Sequence, residues 1–66
     1  MLISYLAEHR KAAGLTQAGL AEAVGVSRKT INTVENRVFI PSTVLALKLA
    51  QALNVKVEDL FCLEDR

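Results

Sequence analysis

Apolar residues return every three or four positions along most of the chain, and a capping or breaking residue closes each such stretch. Leu2, Ile3, Leu6, Arg10 and Ala13 keep helical spacing, and Gly14 offers a C-terminal stop. Thr16 is placed to cap a second helix, QAGLAEAV, with Leu20, Ala21 and Val24 on one face and Gly25 ending it. Ser27 caps a third, RKTINTVEN, whose inner stripe is Ile31, Val34 and Glu35. Pro41 and Ser42 open a fourth carrying Leu45, Leu49 and Leu53, and Asn54 is able to take the left-handed conformation that ends it. A short fifth helix is expected around VEDLF, where Lys56 is a poor N-cap. Strand-like alternation is weak throughout. The pattern predicts an all-α bundle of five short helices.

Between Val24 and Ser27 there is room only for a tight turn containing Gly25. Two helices joined that closely cross steeply, which is helix-turn-helix geometry. Val26, the apolar residue of the turn, should point inward and pin both helices.

The third helix then poses a question of charge. Arg28 and Lys29 stand in its first turn, the positive end of the helix dipole, where a cation costs roughly 0.3–1 kcal/mol. Ile31 and Val34 face in, while Arg28, Lys29, Asn32, Thr33 and Asn36 face out, and that outer face has no acidic residue. Arg and Lys suit guanine acceptors and Asn suits adenine, so such a helix could enter a major groove N-terminus first. A solvated basic face is the plainer reading of two cations alone. The charge distribution tips the balance: residues 9–48 hold six Lys or Arg against two Glu, whereas residues 49–66 hold two against four acidic groups. A net charge of +1 conceals this split.

Arg10 and Glu35 lie on the apolar stripes of their helices. Unpaired buried charge is very costly, so these two are expected to meet as a structural ion pair locking helix 3 to helix 1.

At 66 residues the chain bounds a single domain, 1–66. Cys62 is the only cysteine and has no metal-ligand cluster around it, which fits a reducing cytoplasm. Residues 1–8 lack the features of a signal peptide, and no apolar run approaches a membrane span. No nucleophile–base pair or carboxylate dyad argues for an enzyme, and no metal, cofactor or small-molecule site is evident. The 52% apolar content is high for so small a chain and favours a surface covered by a second copy, although alanine inflates the figure.

The stretch GLTQAGLAEAVGVSRKTINTVENRVFIPSTVLALKLAQAL closely resembles the Cro/C1-type (XRE) helix-turn-helix family of phage-repressor-like DNA-binding proteins. Its elements are specific in combination: LTQ before helix 2, LAEAVGVSRKTI as the motif, VEN, and PS opening helix 4. The resemblance implies a five-helix lambda-repressor-like fold, with the motif at about 17–36 and the recognition helix at about 28–36. It implies base reading by Arg28, Lys29 and Thr33, with Asn32 near the groove edge. Gln17 matches a glutamine that contacts phosphate and buttresses the recognition helix, and Ser27, Asn36 and Arg37 match positions near the DNA backbone. Arg10 and Glu35 coincide with a buried pair seen in some members. The length suggests a small stand-alone regulator.

The chain also departs from the family pattern. Gly19 stands where relatives often carry Glu, so helix 2 lacks a capping box. His9 occupies a position often apolar in the family and is read as partly buried. RVFIP replaces a commoner polar loop; Val38, Phe39 and Ile40 could cap the core or lie against sugar, and the core is preferred. Some short members build a β-ribbon from their chain ends. MLIS and FCLE could do so here, with helix 1 then starting near Ser4, and the point stays open. The dimer interface is expected at Val55, Val57, Leu60, Phe61 and Leu63. These expectations add up to a cytoplasmic, homodimeric regulator of transcription, more suited to repression than activation, on a two-fold double-stranded DNA operator. The alternative is an antitoxin-like or adaptor module whose main partner is another protein.

Overall fold

The computed structural model describes residues 2–64. Its elements run β1 (Leu2–Ser4), α1 (Leu6–Ala12), α2 (Gln17–Val24), α3 (Arg28–Glu35), α4 (Thr43–Leu53), α5 (Val57–Leu60) and β2 (Phe61–Leu63). Among the described residues, no helix is long and apolar enough to cross a membrane.

Three of the helices start on a hydroxyl. Thr16 accepts from the Gly19 N–H at 2.9 Å, Ser27 from Thr30 at 3.1 Å and Ser42 from Leu45 at 3.1 Å. Each satisfies one of the donors that a helix start leaves free. Lys56 supplies no such cap; instead the Asp59 carboxylate turns back and accepts from the Lys56 N–H at 3.0 Å.

The first four helices end alike. In each, a residue with positive φ is followed by one whose N–H returns to a carbonyl five residues earlier: Leu15 to Arg10, Val26 to Ala21, Val38 to Thr33 and Val55 to Ala50. This is the Schellman arrangement. Its left-handed residues are Gly14, Gly25, Arg37 and Asn54. Arg37 at φ 63° is the surprise, because a side chain beyond Gly or Asn strains that conformation by about 1–2 kcal/mol.

The chain ends pair antiparallel, with Leu2 opposite Leu63, Ile3 opposite Cys62 and Ser4 opposite Phe61. The β-ribbon left open by the sequence is therefore present. Met1, Asp65 and Arg66, which the sequence reading counted in the ribbon segment and the acidic end, lie outside the described residues. Helix 1 starts at Leu6, two residues later than a start at Ser4, and Leu2 and Ile3 belong to a strand rather than to its apolar stripe. The buried Ser4 hydroxyl accepts from the Leu6 N–H at 3.3 Å, and Tyr5 N–H donates to the Leu60 carbonyl at 2.7 Å. Those two bonds carry the chain from ribbon to helix.

The core gathers Leu6, Leu20, Ile31, Leu49, Leu60 and Val34 as its most completely buried side chains. Val26 packs against it from the turn, half-buried, and His9 is likewise half-buried. Two expectations fail here. Leu60 and Phe61 are buried in the chain's own core, and Val55 and Val57 pack against it, so of the five residues assigned to a dimer surface only Leu63 is substantially exposed. The reason is that α5 is one turn long and has to bury its apolar side to hold its place. Val38, Phe39 and Ile40 do not cap the core; all three are exposed, Val38 at 77%. The Schellman turn at Arg37 throws this segment outward before Pro41 turns it into α4.

Candidate nucleic-acid interface

The turn Gly25–Val26–Ser27 joins α2 to α3, and its geometry is local chemistry. Gly25 at φ 78° ends α2, and Ser27 in extended conformation caps α3 at once. Ile31 and Val34 anchor α3 in the core, so the register of its outward side chains is fixed. Arg28, Lys29 and Asn36 are exposed; Asn32 and Thr33 are half-buried at the margins of the same face.

Behind that face the two stripe charges meet. Arg10 Nε donates to Glu35 Oε2 at 2.6 Å and Arg10 Nη2 to Oε1 at 3.3 Å, with the two side chains only 11% and 6% exposed. Arg10 Nη1 also donates to the Leu15 carbonyl at 2.8 Å, fixing the loop before α2. A two-pronged guanidinium–carboxylate contact sets direction as well as distance.

The pair does not end there. Gln17 Nε2 donates to Glu35 Oε1 at 2.9 Å, and Gln17 Oε1 accepts from Arg28 Nη1 at 3.0 Å. A continuous relay thus runs Arg10, Glu35, Gln17, Arg28, from inside the bundle to its basic surface. Arg28 in the first turn of α3 is held by a neutral amide oxygen, and among the described residues it has no acidic partner. That Gln17 buttresses α3 was implied by the family resemblance; its partners, Glu35 and Arg28, were not named by the sequence reading. A signal was available: residues 28 and 35 are seven apart, nearly two full turns, so both lean toward the side where α2 packs.

The remaining site residues are ordered by smaller bonds. Thr33 Oγ1 donates to the Thr30 carbonyl at 2.9 Å, and Asn36 Nδ2 donates to Asn32 Oδ1 at 3.2 Å. The Ser27 hydroxyl serves α3 as its cap and lies 3.0 Å from Thr30 Oγ1. Arg37 is turned elsewhere: its guanidinium makes a long contact, 3.4 Å, to the Ser4 carbonyl of β1. Among the described residues, no group of three or more His, Cys, Asp and Glu is arranged to hold a metal.

Comparison with known proteins agrees with this geometry. The helix-turn-helix family model matches residues 6–60. An HTH-type transcriptional regulator of Methanothermobacter thermautotrophicus is 49% identical over 59 residues, spanning 88% of this chain and 86% of that protein. The HTH-type regulator YgzD of Bacillus subtilis is 43% identical over 58 residues, spanning 88% of each. Among solved structures, the restriction-modification controller protein C.AhdI of Aeromonas hydrophila superposes with a TM-score of 0.77 at 39% identity, covering 82% of each chain. The chain belongs to the Cro/C1-type (XRE) helix-turn-helix family of DNA-binding transcription regulators.

Proposed function

We propose that this helix-turn-helix protein is a repressor that binds a two-fold operator as a homodimer, reading base edges with the outer face of α3. The observation that carries the reading is the relay ending on Arg28. A buried ion pair is an expensive way to orient one exposed side chain unless that side chain has a directional task. With Nη1 given to Gln17, Arg28 keeps its other N–H groups for the O6 and N7 acceptors of a guanine, a contact worth about 1–3 kcal/mol of discrimination.

The neighbouring groups divide the work. Lys29 supplies a second donor beside Arg28. Thr33 has committed its hydroxyl proton to Thr30, so it offers a methyl group, suited to the methyl of thymine. Asn32 has its amide oxygen engaged by Asn36 and offers donors to the groove edge. Gln17, first residue of α2, retains its main-chain N–H and one amide hydrogen for a phosphate, and Ser27 and Asn36 flank the same backbone. Repression requires only occupancy of a promoter, which a domain of this size can supply unaided.

Selection from a random double-stranded DNA library, with wild type and an Arg28→Ala, Lys29→Ala variant side by side, tests this reading. An inverted repeat with half-sites about one helical turn apart, relaxed in the variant, is the expected result. Folded wild-type protein that enriches no motif would overturn it and favour a protein partner instead.

A further inference from the structure

The homodimer of the proposed function needs a surface, and two of the five residues that sequence suggests for it, Leu60 and Phe61, are internal. We infer that the two copies meet instead through the face made by the α3–α4 loop, the outer side of α4 and the ribbon. This inference rests on the proposed function for its partner, a second copy of this chain, and on four observations for its location.

The first is chemistry. Residues 38–47, VFIPSTVLAL, contain no charged side chain at all. A stretch without a cation gains little from the field of the duplex, and an apolar surface of this length is not built for water. The second is extent. Val38, Phe39, Ile40, Val44, Leu47 and Leu63 are each between 47% and 77% exposed. Added together, these side chains expose roughly 600 Å², Val44 at the margin beside the α2–α3 turn, against the ~800 Å² per partner of a standard interface.

The third observation is shape. Two grooves flank the ridge at Ile40 and Pro41, and both are lined by Leu2 and Phe61; one extends to Val38 and Phe39, the other to Ala46 and Leu47. Leu63 lies opposite Leu2 across the ribbon and so shares its face. Ridge and grooves lie side by side on one face, as a two-fold contact requires, because each copy must supply both knob and hole. The fourth is position. The face begins immediately after the C-terminal end of α3, and the protein measures 34 × 21 × 20 Å. A two-fold axis there leaves each recognition helix within reach of a half-site centre about 17 Å from the axis.

Sedimentation velocity of the DNA-free protein at micromolar concentrations tests the face, with wild type, Ile40→Glu, Ile40→Lys and an equal mixture of the two variants. Ile40 is exposed, so either charge leaves the fold intact, and circular dichroism checks this. The wild type is expected to be a dimer. Each variant alone should associate at least tenfold more weakly, and the mixture, with opposite charges across the axis, should recover the dimer. A monomeric wild type, or variants that dimerise as wild type does, overturns the inference. Binding of the same proteins to a single half-site separates this failure from that of the function. Variants that break the dimer but keep half-site preference support both; a monomeric wild type that keeps the preference sinks the face alone. Ile40→Glu weakening half-site binding without changing association would place the loop on DNA and also sinks the face.

Discussion

Replacing Arg10 by Met should nearly unfold this protein, whereas replacing both Arg10 and Glu35 by apolar residues should not. The Glu35 carboxylate is 6% exposed and accepts from Arg10 twice and from Gln17 once. Arg10→Met leaves it with one neutral donor in a place water barely reaches, which costs about 3–5 kcal/mol. The variant also frees the Leu15 carbonyl, worth about 1 kcal/mol. A chain of this length has a total stability of roughly 3–10 kcal/mol, so the single variant sits near its unfolding midpoint without denaturant. Glu35→Leu strands the Arg10 guanidinium and should cost a similar amount. In the double variant no charge is left, and only the Gln17 amide and the Leu15 carbonyl lose partners. Its loss should be about 1–3 kcal/mol, against roughly 7–11 kcal/mol if the single losses added. Urea unfolding followed by circular dichroism, at one protein concentration because any self-association would shift the midpoint, gives the four values. Additive single losses below about 1 kcal/mol each would refute the reasoning, since they would mean that the pair is solvated rather than buried.

Arg37→Gly should raise stability: relief of about 1–2 kcal/mol of left-handed strain exceeds the ~0.5–1 kcal/mol of extra chain entropy that glycine brings to the unfolded state. A thermal melt checks it, with a gain of a few degrees expected; a lower midpoint would assign the long, partly buried 3.4 Å contact to Ser4 more weight than its length suggests. Ser27→Ala removes the α3 cap and should cost about 1 kcal/mol, while Ser27→Gly should cost only a few tenths. Equal losses for the two would show that the hydroxyl's bond to Thr30 is not what starts the helix. Operator affinity should fall linearly with the logarithm of salt concentration, and Lys29→Ala should change base preference more than that slope.

The helices were legible because their ends are local. Thr16, Ser27 and Ser42 cap where hydroxyl residues stand before an apolar stripe, and Gly25 and Asn54 stop helices by conformational preference. Arg10 and Glu35 were legible for a different reason: a charge on an apolar stripe demands a partner, and each was the other's only candidate. What sequence did not disclose depended on long-range packing. Strands of three residues carry too little alternation to register, so Leu2 and Ile3 read as helix until Phe61–Leu63 lay beside them. Leu60 and Phe61 read as surface because α5 is too short to display a stripe, and Val38 to Ile40 read as core because apolarity alone does not say which way a loop leaves its turn. Arg37 had no local signal at all: nothing in its side chain favours positive φ.

The central claim is that a buried ion pair, acting through Gln17, aims Arg28 at a guanine. Titration of wild type and Arg28→Ala against the selected operator, with each guanine of a half-site replaced in turn by 7-deazaguanine, tests it atom by atom. That base keeps its Watson–Crick pairing but lacks the N7 acceptor. At one position wild type should lose about 1 kcal/mol or more, at least fivefold in affinity, while Arg28→Ala loses nothing further there. If wild type is indifferent at every guanine, or if the variant loses as much as wild type does, Arg28 does not read the base and the relay serves stability alone.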